Sequence, residues 1–335
     1  MIRAIKQILE AFFWLTLSKI LPAENLPLLW KLGRMVGGLS YRMSPARRKL
    51  IEMEMQLVFP KKSKAEIDQM VKNSFIDFCI AQIEELHFPV MNKENIDKMI
   101  TLDGKKILDQ ALAKKKGVIA IHPHFGSYLL IIPALGYNDY KVNQVAARGN
   151  PPKKMLEKNP GFETKDGIRW VVYNHRLKNE NNLPGDFIDM KSLRKIYEKA
   201  ANNEIIAISG TGRGGQGFVP VQLCGRQALL ANGPYRMSAK TGSVLLPMFT
   251  VRDKDSKHRL AIEQPIEIKD SSPEEVSRAA QQFADHLTNY INKYPEQFGM
   301  RLWRMRRNAH WDDHPFFIDY AHDDAWKKYC SEPDK

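Results

Sequence analysis

A chain of 335 residues, of which 43% are hydrophobic and 27% charged, has the composition of a folded globular protein and excludes wholesale disorder. Its 51 lysine and arginine residues against 38 acidic residues leave a net charge of +13, which favours an anionic partner: a phosphorylated substrate, an anionic membrane surface or an acidic carrier protein. Nucleic acid is not expected, because the chain has no zinc-finger spacing, basic zipper or RNP-like motif. The three cysteines form no C-x-x-C pair, which favours a reducing compartment.

Residues 1–45 are predicted to be a helical segment that associates with a membrane. The stretch 2–21 is largely apolar, but four charged residues interrupt it: Arg3, Lys6, Glu10 and Lys19. A membrane span needs about 20 apolar residues in a row, so this helix suits an interfacial position better. A buried helix of the domain is the alternative. A second helix is expected over 26–41, and the basic cluster 47–49 follows it.

Residues 46–335 are predicted to form one α/β domain with a mainly parallel sheet flanked by helices, because strand and helix patterns alternate. Helical patterns cover 46–90, 104–116, 191–202 and 273–294, and another helix begins within 129–135. Ser63 and Glu66 form a capping box. Short apolar runs predict strands over 117–121, 142–147, 204–209, 242–251 and 260–268. The polar stretch 149–186 is expected to be the least ordered part.

The most informative feature is the run 117–121, which ends at His122 and His124. Open α/β sheets bind ligands just beyond the carboxyl ends of their strands. An imidazole at that place has the pKa of a general base for neutral pH. The alternative is that one or both histidines only cap the strand by hydrogen bonds to the backbone.

Two motifs are similar to a dinucleotide-binding motif and to a metal site, but both lack the sequence context that such sites require. Gly210–Gly215 fits G-x-G-x-x-G, but the extended stretch 218–221 follows where a helix should begin, and no acidic residue stands about 20 positions on. Two interpretations remain: a flexible glycine loop whose N–H groups and Arg213 bind an anion, and a plain mobile loop. The histidines and aspartates at 310–314 and 322–324 lack metal-site spacing. We therefore expect neither a cofactor nor a metal.

A dense cationic patch closes the folded part of the chain and is formed by Arg301, Arg304, Arg306 and Arg307. Guanidinium groups suit phosphate or an acidic carrier protein. The alternative is a helix end whose cations interact favourably with the helix dipole.

Several blocks, taken in order, resemble one family over nearly the whole chain. They are Leu32–Arg34 with Tyr41–Arg42 and Arg47–Arg48, Leu57–Pro60, Leu102–Gly104, His124–Tyr128, Val145–Pro151, Gly217–Pro220, Thr241–Pro247, and Tyr294–Phe298 with Arg306–Arg307. Together they resemble the bacterial lipid A late acyltransferases, the lauroyl and myristoyl transferases, within the wider glycerolipid acyltransferase-like superfamily.

The resemblance implies acyl transfer from an acyl carrier protein to a hydroxyl of a glycolipid, at the cytoplasmic face of the inner membrane. It also implies a strand-end histidine as general base in the motif H-x-x-x-x-[DE], in which the acid orients the histidine. His124 aligns with that base, but the acid position holds Leu129. Counting from His122 instead gives Ser127, and a second acidic position falls at Gly210 or a neighbour. The chain is thus a divergent member in which both carboxylates are missing.

The leading hypothesis is an acyltransferase that uses an acyl carrier protein or acyl-CoA thioester, with His124 as base and His122 as helper or substitute. Arg148, Arg213 and Ser127 are the candidate substrate-binding residues. Without the acid, we expect His122, Ser127 or Tyr128 to hold the base, and a lipid or small-molecule acceptor that needs little activation, such as an amine or an activated hydroxyl. The alternative is a catalytically silent homologue that binds lipid or carrier protein as an accessory subunit. A nucleotide-binding oxidoreductase is disfavoured, because the glycine loop is not followed by the helix and the acidic residue that a dinucleotide-binding motif requires.

Overall fold

The structure is a computed structural model that describes residues 11–17, 19, 21, 24–146, 167–215, 217–253, 255–309 and 314–320. The amino-terminal part of the helix predicted over 2–21, Arg148 with most of its block, and the acidic and histidine residues at 310–313 and 322–324 lie outside these ranges. Within them, no helix is both long enough and apolar enough to span a bilayer.

In the described part of the chain, three long helices come before the first strand: α1 (Leu26–Met43), α2 (Pro45–Val58) and α3 (Lys64–Glu84). Shorter helical segments at Phe13–Leu17, Glu85–Val90 and Ile96–Met99 also precede it. The predicted capping box is confirmed, since the Ser63 hydroxyl accepts the Glu66 backbone N–H and the Glu66 carboxylate accepts the Ser63 backbone N–H. Ahead of these helices, Trp14 is buried in a small cluster with Leu29. The described part of 1–45 therefore packs against the rest of the protein.

Nine strands follow: β1 (Ile100–Asp103), β2 (Val118–His122), β3 (Val142–Ala146), β4 (Asp186–Asp189), β5 (Ile205–Ser209), β6 (Phe218–Leu223), β7 (Arg226–Ala231), β8 (Val244–Arg252) and β9 (His258–Ile262). Seven of these described strands form one sheet in the order β1-β9-β8-β2-β5-β3-β4, and β6 and β7 form a separate hairpin. Every neighbouring pair in the large sheet is parallel except β8 and β9. The predicted fold class is confirmed.

Helices cover both faces of this sheet: α4 (Lys105–Ala113), α5 (Ile131–Gly136), α6 (Gly167–Asn181), α7 (Leu193–Ala201), α8 (Gly233–Thr241), α9 (Pro273–Lys293) and α10 (Glu296–Asn308). The central strand β2 is buried along its whole length. Ile119 and Ile121 belong to one hydrophobic cluster, whereas Val118 and Ala120 belong to the other. Because successive side chains of a strand point to opposite faces, an unbroken apolar run is what a doubly covered strand requires.

Two parts of the secondary structure differ from the sequence-based expectation. The stretch 149–186 contains α6 and the start of β4 in its described portion, because tertiary contacts stabilise a polar helix there: Val172 is buried, and the Arg176 guanidinium pairs with Glu85. The strand expected over 260–268 ends at Ile262, close to Pro265, which has no N–H for a strand ladder. The hairpin strand β7 and helix α8 were not predicted.

The contact between α1 and α3 depends on glycine. A Cβ on Gly37 would come within 2.5 Å of the Ile76 Cα and 2.9 Å of the Phe75 carbonyl oxygen, whereas a Cβ on Gly38 meets nothing within 4 Å.

We expect Gly37→Ala to lower the free energy of unfolding by about 1–3 kcal/mol through overpacking. The matched variant Gly38→Ala should leave it unchanged or raise it by up to about 1 kcal/mol. Urea unfolding of both variants measures this; equal stabilities would contradict the prediction.

Candidate functional site

The candidate site lies at the edge of the sheet where parallel strands end together. β2 ends at His122, β5 at Ser209 and β8 at Arg252. Since these strands run in the same direction, their carboxyl ends meet at one edge. A cavity of about 820 Å³ opens there, and both predicted histidines, His122 and His124, line it. Both histidines of the predicted strand tip therefore lie in the wall of one cavity at the carboxyl edge of the sheet.

His124 is held by two hydroxyl groups that follow β5. Its Nδ1 lies 2.9 Å from the Ser209 Oγ and 2.9 Å from the Thr211 Oγ1. The Thr211 Oγ1 also accepts the backbone N–H of His124 at 2.9 Å. The edge of the His124 ring meets the Tyr128 ring, with centroids 4.9 Å apart. The groups that contact Nδ1 are thus Ser209 and Thr211, not His122, Ser127 or Tyr128 as the sequence had suggested.

His122 is more deeply buried, with a relative exposure of 1%. Its Nδ1 lies 3.1 Å from the Pro123 carbonyl oxygen, which only accepts hydrogen bonds, so this nitrogen carries the proton in the neutral ring. The Nε2 then accepts from the Gln144 amide at 3.2 Å. Both ring nitrogens of His122 are engaged with the protein.

The surroundings keep both imidazoles neutral at neutral pH. Burial lowers the pKa of His122 to about 4, although its partners Pro123 and Gln144 act in the opposite direction. Burial also lowers the pKa of His124 well below its usual value, and the nearby charges of Arg301 and Arg304 lower it further. A neutral imidazole has a lone pair available for a proton, which is the first requirement of a general base.

Beside the histidines, a buried charge network fixes the edge of the sheet. Glu84 at the end of α3 accepts from both terminal nitrogens of Arg252, from the Trp30 indole at 2.8 Å and from the Ser127 hydroxyl at 3.0 Å. The Arg252 Nε donates to Asp77 at 2.9 Å. Burial alone would raise the pKa of Glu84, but the charges and hydrogen bonds of Arg252 and of His258, whose Nε2 lies 3.0 Å from Glu84, together outweigh it and lower that pKa. Glu84 is therefore an ionised structural partner of Arg252.

The turn after His124 is fixed by a glycine and a glutamine. Gly126 has φ +52°, and a Cβ there would approach the Thr250 carbonyl oxygen to 2.6 Å. Its N–H donates to the Gln297 carbonyl at 3.0 Å. The Gln297 side chain in turn pairs with both backbone groups of Arg252, at 3.0 and 2.8 Å. The Pro-Glu-Gln block thus connects α10 to the histidine turn.

Three arginines line the cavity next to His124: Arg213 from the glycine loop, and Arg301 and Arg304 from α10. The Arg213 guanidinium donates to the Leu229 carbonyl at 2.8 Å. Arg301 donates to the Thr211 carbonyl at 2.9 Å, and burial together with the charge of Arg304 lowers the pKa of Arg301 to about 10. These guanidinium groups offer positive charge to an anionic group at their part of the wall. Among the residues that the structure describes, the wall also contains five acidic ones, of which Asp77 and Glu84 pair with Arg252 and Glu85 pairs with Arg176.

The predicted cationic patch is divided between two places. Arg301 and Arg304 face the cavity, whereas Arg306 lies 3.5 Å from Glu54 in another buried cluster, and Arg307 lies over the Trp303 ring. Arg148 is outside the described residues.

Neither position at which the resemblance placed an acid carries a carboxylate in the structure. Leu129 lines the cavity and packs against the core, and Gly210 leaves no room for a side chain, since a Cβ would approach Phe283 to 2.9 Å. Ser127 lines the cavity but bonds to Glu84 and Arg252. Hydroxyls directly after a strand were a readable signal for Ser209 and Thr211, whereas no local pattern marked Glu84, Asp77 or Arg252.

Comparison with known proteins gives the same family as the sequence blocks. The family described as "Bacterial lipid A biosynthesis acyltransferase" matches residues 2–307. The chain is 24% identical over 285 residues to the lipid A biosynthesis palmitoleoyltransferase of Escherichia coli (strain K12), and equally to a lipid A biosynthesis acyltransferase of Shigella flexneri; each match covers 84% of this chain and 85% of the relative. It is 22% identical to the lipid A biosynthesis lauroyltransferase of Escherichia coli (strain K12) over the same shares.

The order of the sequence blocks, the α/β fold with histidines at the carboxyl edge, and a family match over almost the whole length all agree. The chain belongs to the bacterial lipid A biosynthesis acyltransferase family, whose members are acyltransferases of lipid biosynthesis.

Proposed function

We propose that the protein transfers an acyl group from the thioester of an acyl carrier protein, or of acyl-CoA, to a hydroxyl or amine acceptor, with His124 as the general base. The observation that carries this proposal is a neutral, hydroxyl-bound imidazole in the wall of a cavity of about 820 Å³ that is also lined by Arg213, Arg301 and Arg304. Ligand pockets commonly measure about 300–1,000 Å³, so the cavity has room for an acyl chain and part of its acceptor.

The cavity wall contains apolar and cationic side chains that suit the two halves of a thioester substrate. Apolar side chains form one part of its wall: Phe78, Phe88, Leu130, Val172, Leu177, Phe187, Met190 and Met300. This part suits a hydrocarbon chain, because burial of apolar surface is favourable at about 25 cal/mol per Å². Arg213, Arg301 and Arg304 suit the phosphate of the donor arm or an anionic group of the acceptor. We include Arg148 and Ser127 with Arg213 as candidate substrate-binding residues.

In the proposed reaction the acceptor heteroatom attacks the thioester carbonyl carbon while the His124 Nε2 takes its proton. The C–S bond of the tetrahedral intermediate then breaks, and the leaving thiolate recovers that proton from the imidazolium. The arginines stabilise the negative charge that develops on the carbonyl oxygen. His122 stabilises the strand tip through its hydrogen bonds to Pro123 and Gln144.

The electrostatics favour an acceptor that needs little activation. An imidazole whose pKa is lowered is a weaker base, and no carboxylate stabilises the imidazolium that forms. A neutral amine attacks without prior deprotonation, and the ammonium formed in the intermediate gives up its proton readily. We therefore propose an amine or an activated hydroxyl, on a lipid or a small molecule, in preference to a plain sugar hydroxyl.

We place the protein at the cytoplasmic face of the bacterial inner membrane, attached peripherally through residues 1–45. Met35, Leu39 and Met43 follow one another at intervals of four residues on α1 and are 65%, 54% and 70% exposed. An exposed apolar helix face next to basic residues is typical of interfacial attachment. The cluster 47–49 is partly engaged within the protein, since Arg47 lies 4.2 Å from the centroid of the Trp303 ring and Arg48 lies 5.0 Å from that of Tyr41.

A catalytically silent accessory subunit is the second candidate, because Leu129 stands where the resemblance predicts the orienting acid. Such a protein would bind lipid or carrier protein in the same cavity without turning over a thioester. The two candidates differ in one measurement, the release of free thiol from a donor thioester in the presence of an acceptor.

His124→Ala should reduce acyl transfer by about 100- to 10,000-fold, the usual contribution of a general base. Because the pKa of His124 is lowered, its neutral form persists in acid, and the acidic limb of the wild-type rate should lie below the ordinary value of 6.5. The assay follows thiol release from an acyl carrier protein thioester across pH. His286→Ala, on α9 and outside the cavity wall, is the matched control. Unchanged turnover in His124→Ala would assign the base elsewhere, and no turnover in the wild type would favour the silent subunit.

The acceptor class is tested by competition. Purified protein receives an acyl carrier protein thioester together with a lipid A precursor, a small primary amine and a small alcohol, and mass spectrometry identifies the acylated product. We expect the amine to be acylated faster than the plain alcohol at equal concentration, because it needs no deprotonation before attack. Preferential acylation of the sugar hydroxyl of the lipid A precursor would show that loss of the carboxylates did not redirect the chemistry.

Membrane attachment is tested on the face of α1 rather than by deletion, because α1 packs closely on α3 and its removal would expose the core. The double variant Met35→Glu/Leu39→Glu should lose most of its binding to phosphatidylglycerol vesicles, since it removes apolar contact and adds charge of the repelled sign. Ile318→Glu is the matched control, because Ile318 is 49% exposed on the segment after α10. Vesicle co-sedimentation measures both; equal binding by the two variants would rule out this face.

A further inference from the structure

We infer that Ser209 and Thr211 are positioning residues that take over the role of the missing carboxylate: together they hold His124 in the tautomer whose Nδ1 carries the proton and whose Nε2 is available to accept one. This inference rests on the proposed function of His124 as a base. It adds to that function by naming two residues, at the end of another strand, through which the base is made competent.

The first argument is the geometry around Nδ1. The oxygens of Ser209 and Thr211 both lie 2.9 Å from this nitrogen and 3.3 Å from each other. A single proton on Nδ1 can be shared between two acceptor oxygens. A bare Nδ1 lone pair could accept from only one of the hydroxyls at good geometry, and the second oxygen would then face it without a hydrogen between them. Two oxygens at equal short distance therefore favour the Nδ1–H form.

The second argument is the bonding capacity of the Thr211 hydroxyl. Its Oγ1 already accepts the backbone N–H of His124 at 2.9 Å. It retains one lone pair for the Nδ1–H, and its own hydrogen points naturally to the Ser209 Oγ. Thr211 is fully buried, so water does not compete for these bonds. One side chain thus fixes both the backbone and the ring of His124.

The third argument is that Thr211 itself is fixed from the other side. Its carbonyl oxygen accepts from the Arg301 guanidinium at 2.9 Å. Gly210, just before it, donates its N–H to the His122 carbonyl at 2.9 Å and packs closely on Phe283. The hydroxyl pair is therefore part of a rigid turn, as a positioning group must be.

Two neutral hydroxyls and one carboxylate differ in a measurable way. A carboxylate beside an imidazole raises its pKa by stabilising the charged form, whereas hydroxyl oxygens give a weaker, neutral hydrogen bond. The charged and titratable groups that act on the ring are His122 on the strand tip and Arg301 and Arg304 on α10, and the ring edge meets Tyr128. The carboxylates of Glu85 and Glu180 also line the cavity and act on Tyr128. Neither of them shifts the pKa of His124, so a carboxylate introduced at position 209, next to Nδ1, should dominate the titration of His124.

Four single variants and one combination with His124→Ala test the inference in the full-length protein. Ser209→Ala removes a ring contact and nothing else that the structure gives to His124, so we expect kcat to fall roughly tenfold, the value of one hydrogen bond of about 1.4 kcal/mol, with KM unchanged. Thr211→Val should lose at least as much, whereas Thr211→Ser keeps the hydroxyl and should retain most of the rate. Ser209→Asp should shift the acidic limb of the pH–rate profile to higher pH. In the His124→Ala background, Ser209→Ala should have no further effect, because it acts through the ring.

A measurement without turnover separates this inference from the proposed function. Imidazole nitrogen shifts of ¹⁵N-histidine-labelled protein report the tautomer, and comparison with His124→Ala assigns the signal. We expect the Nδ1–H form in the wild type and a mixture of tautomers in Ser209→Ala/Thr211→Val. An unchanged tautomer in that double variant, or an equal loss of rate from Ser209→Ala in the His124→Ala background, would overturn the inference. A tautomer that depends on Ser209 and Thr211 in a protein without acyl transfer would support the positioning and refute the proposed function alone.

Discussion

The buried Arg252 guanidinium is the contact on which the carboxyl edge of the sheet depends. It joins the last residue of β8 to two acidic residues of α3, with its Nε 2.9 Å from Asp77 and its terminal nitrogens on Glu84. Through Glu84 the same network reaches Trp30 on α1 and Ser127 beside the histidine turn. Removing one partner of a buried ion pair commonly costs about 3–5 kcal/mol, because the other charge is left without compensation. Elements from both ends of the domain are thereby held in register around the cavity.

This network explains why the nearby carboxylate of Glu84 does not orient the His124 ring. Both oxygens of Glu84 are occupied by Arg252, Trp30 and Ser127, and the lowered pKa keeps Glu84 ionised as a structural partner. The orientation of His124 is left to groups on the neighbouring strand. Those groups are the hydroxyls of Ser209 and Thr211, and a Cβ on Gly210 between them would approach Phe283 to 2.9 Å. The two hydroxyls therefore contact the imidazole as the missing carboxylate of the motif would, but they do not supply its negative charge.

The local parts of this arrangement were predictable, and the long-range parts were not. An apolar run of β-branched residues predicted β2 and placed His124 at its tip, and a Ser-x-x-Glu pattern predicted the start of α3, because both signals depend on neighbours in sequence. Helix α6 was missed because burial of Val172 and the pairing of Arg176 with Glu85 stabilise a segment whose own composition is polar. The pairing of Glu84 with Arg252 spans 168 residues, and no periodicity carries such a contact. For the same reason the sequence suggested partners for the His124 Nδ1 within the strand tip, whereas in the structure these partners lie at the end of β5 and just after it.

The charges of the site favour negative over positive charge at the reacting centre. Burial, the charges of Arg301 and Arg304, and the absence of a carboxylate all disfavour an imidazolium at His124. The same arginines favour an oxyanion on the acyl carbonyl, and three of the five acidic residues described in the cavity wall, Asp77, Glu84 and Glu85, are already paired with other arginines. In the proposed reaction, stabilisation of the tetrahedral intermediate thus carries more of the rate than proton abstraction does. The imidazolium need exist only until the thiolate leaves, and the departing sulfur, with a thiol pKa of about 8.5, takes the proton from it at once. The neutral His124 beside fixed arginines fits a reaction in which the acceptor is already nucleophilic. The protein then contributes mainly by stabilising the negative charge that the attack creates.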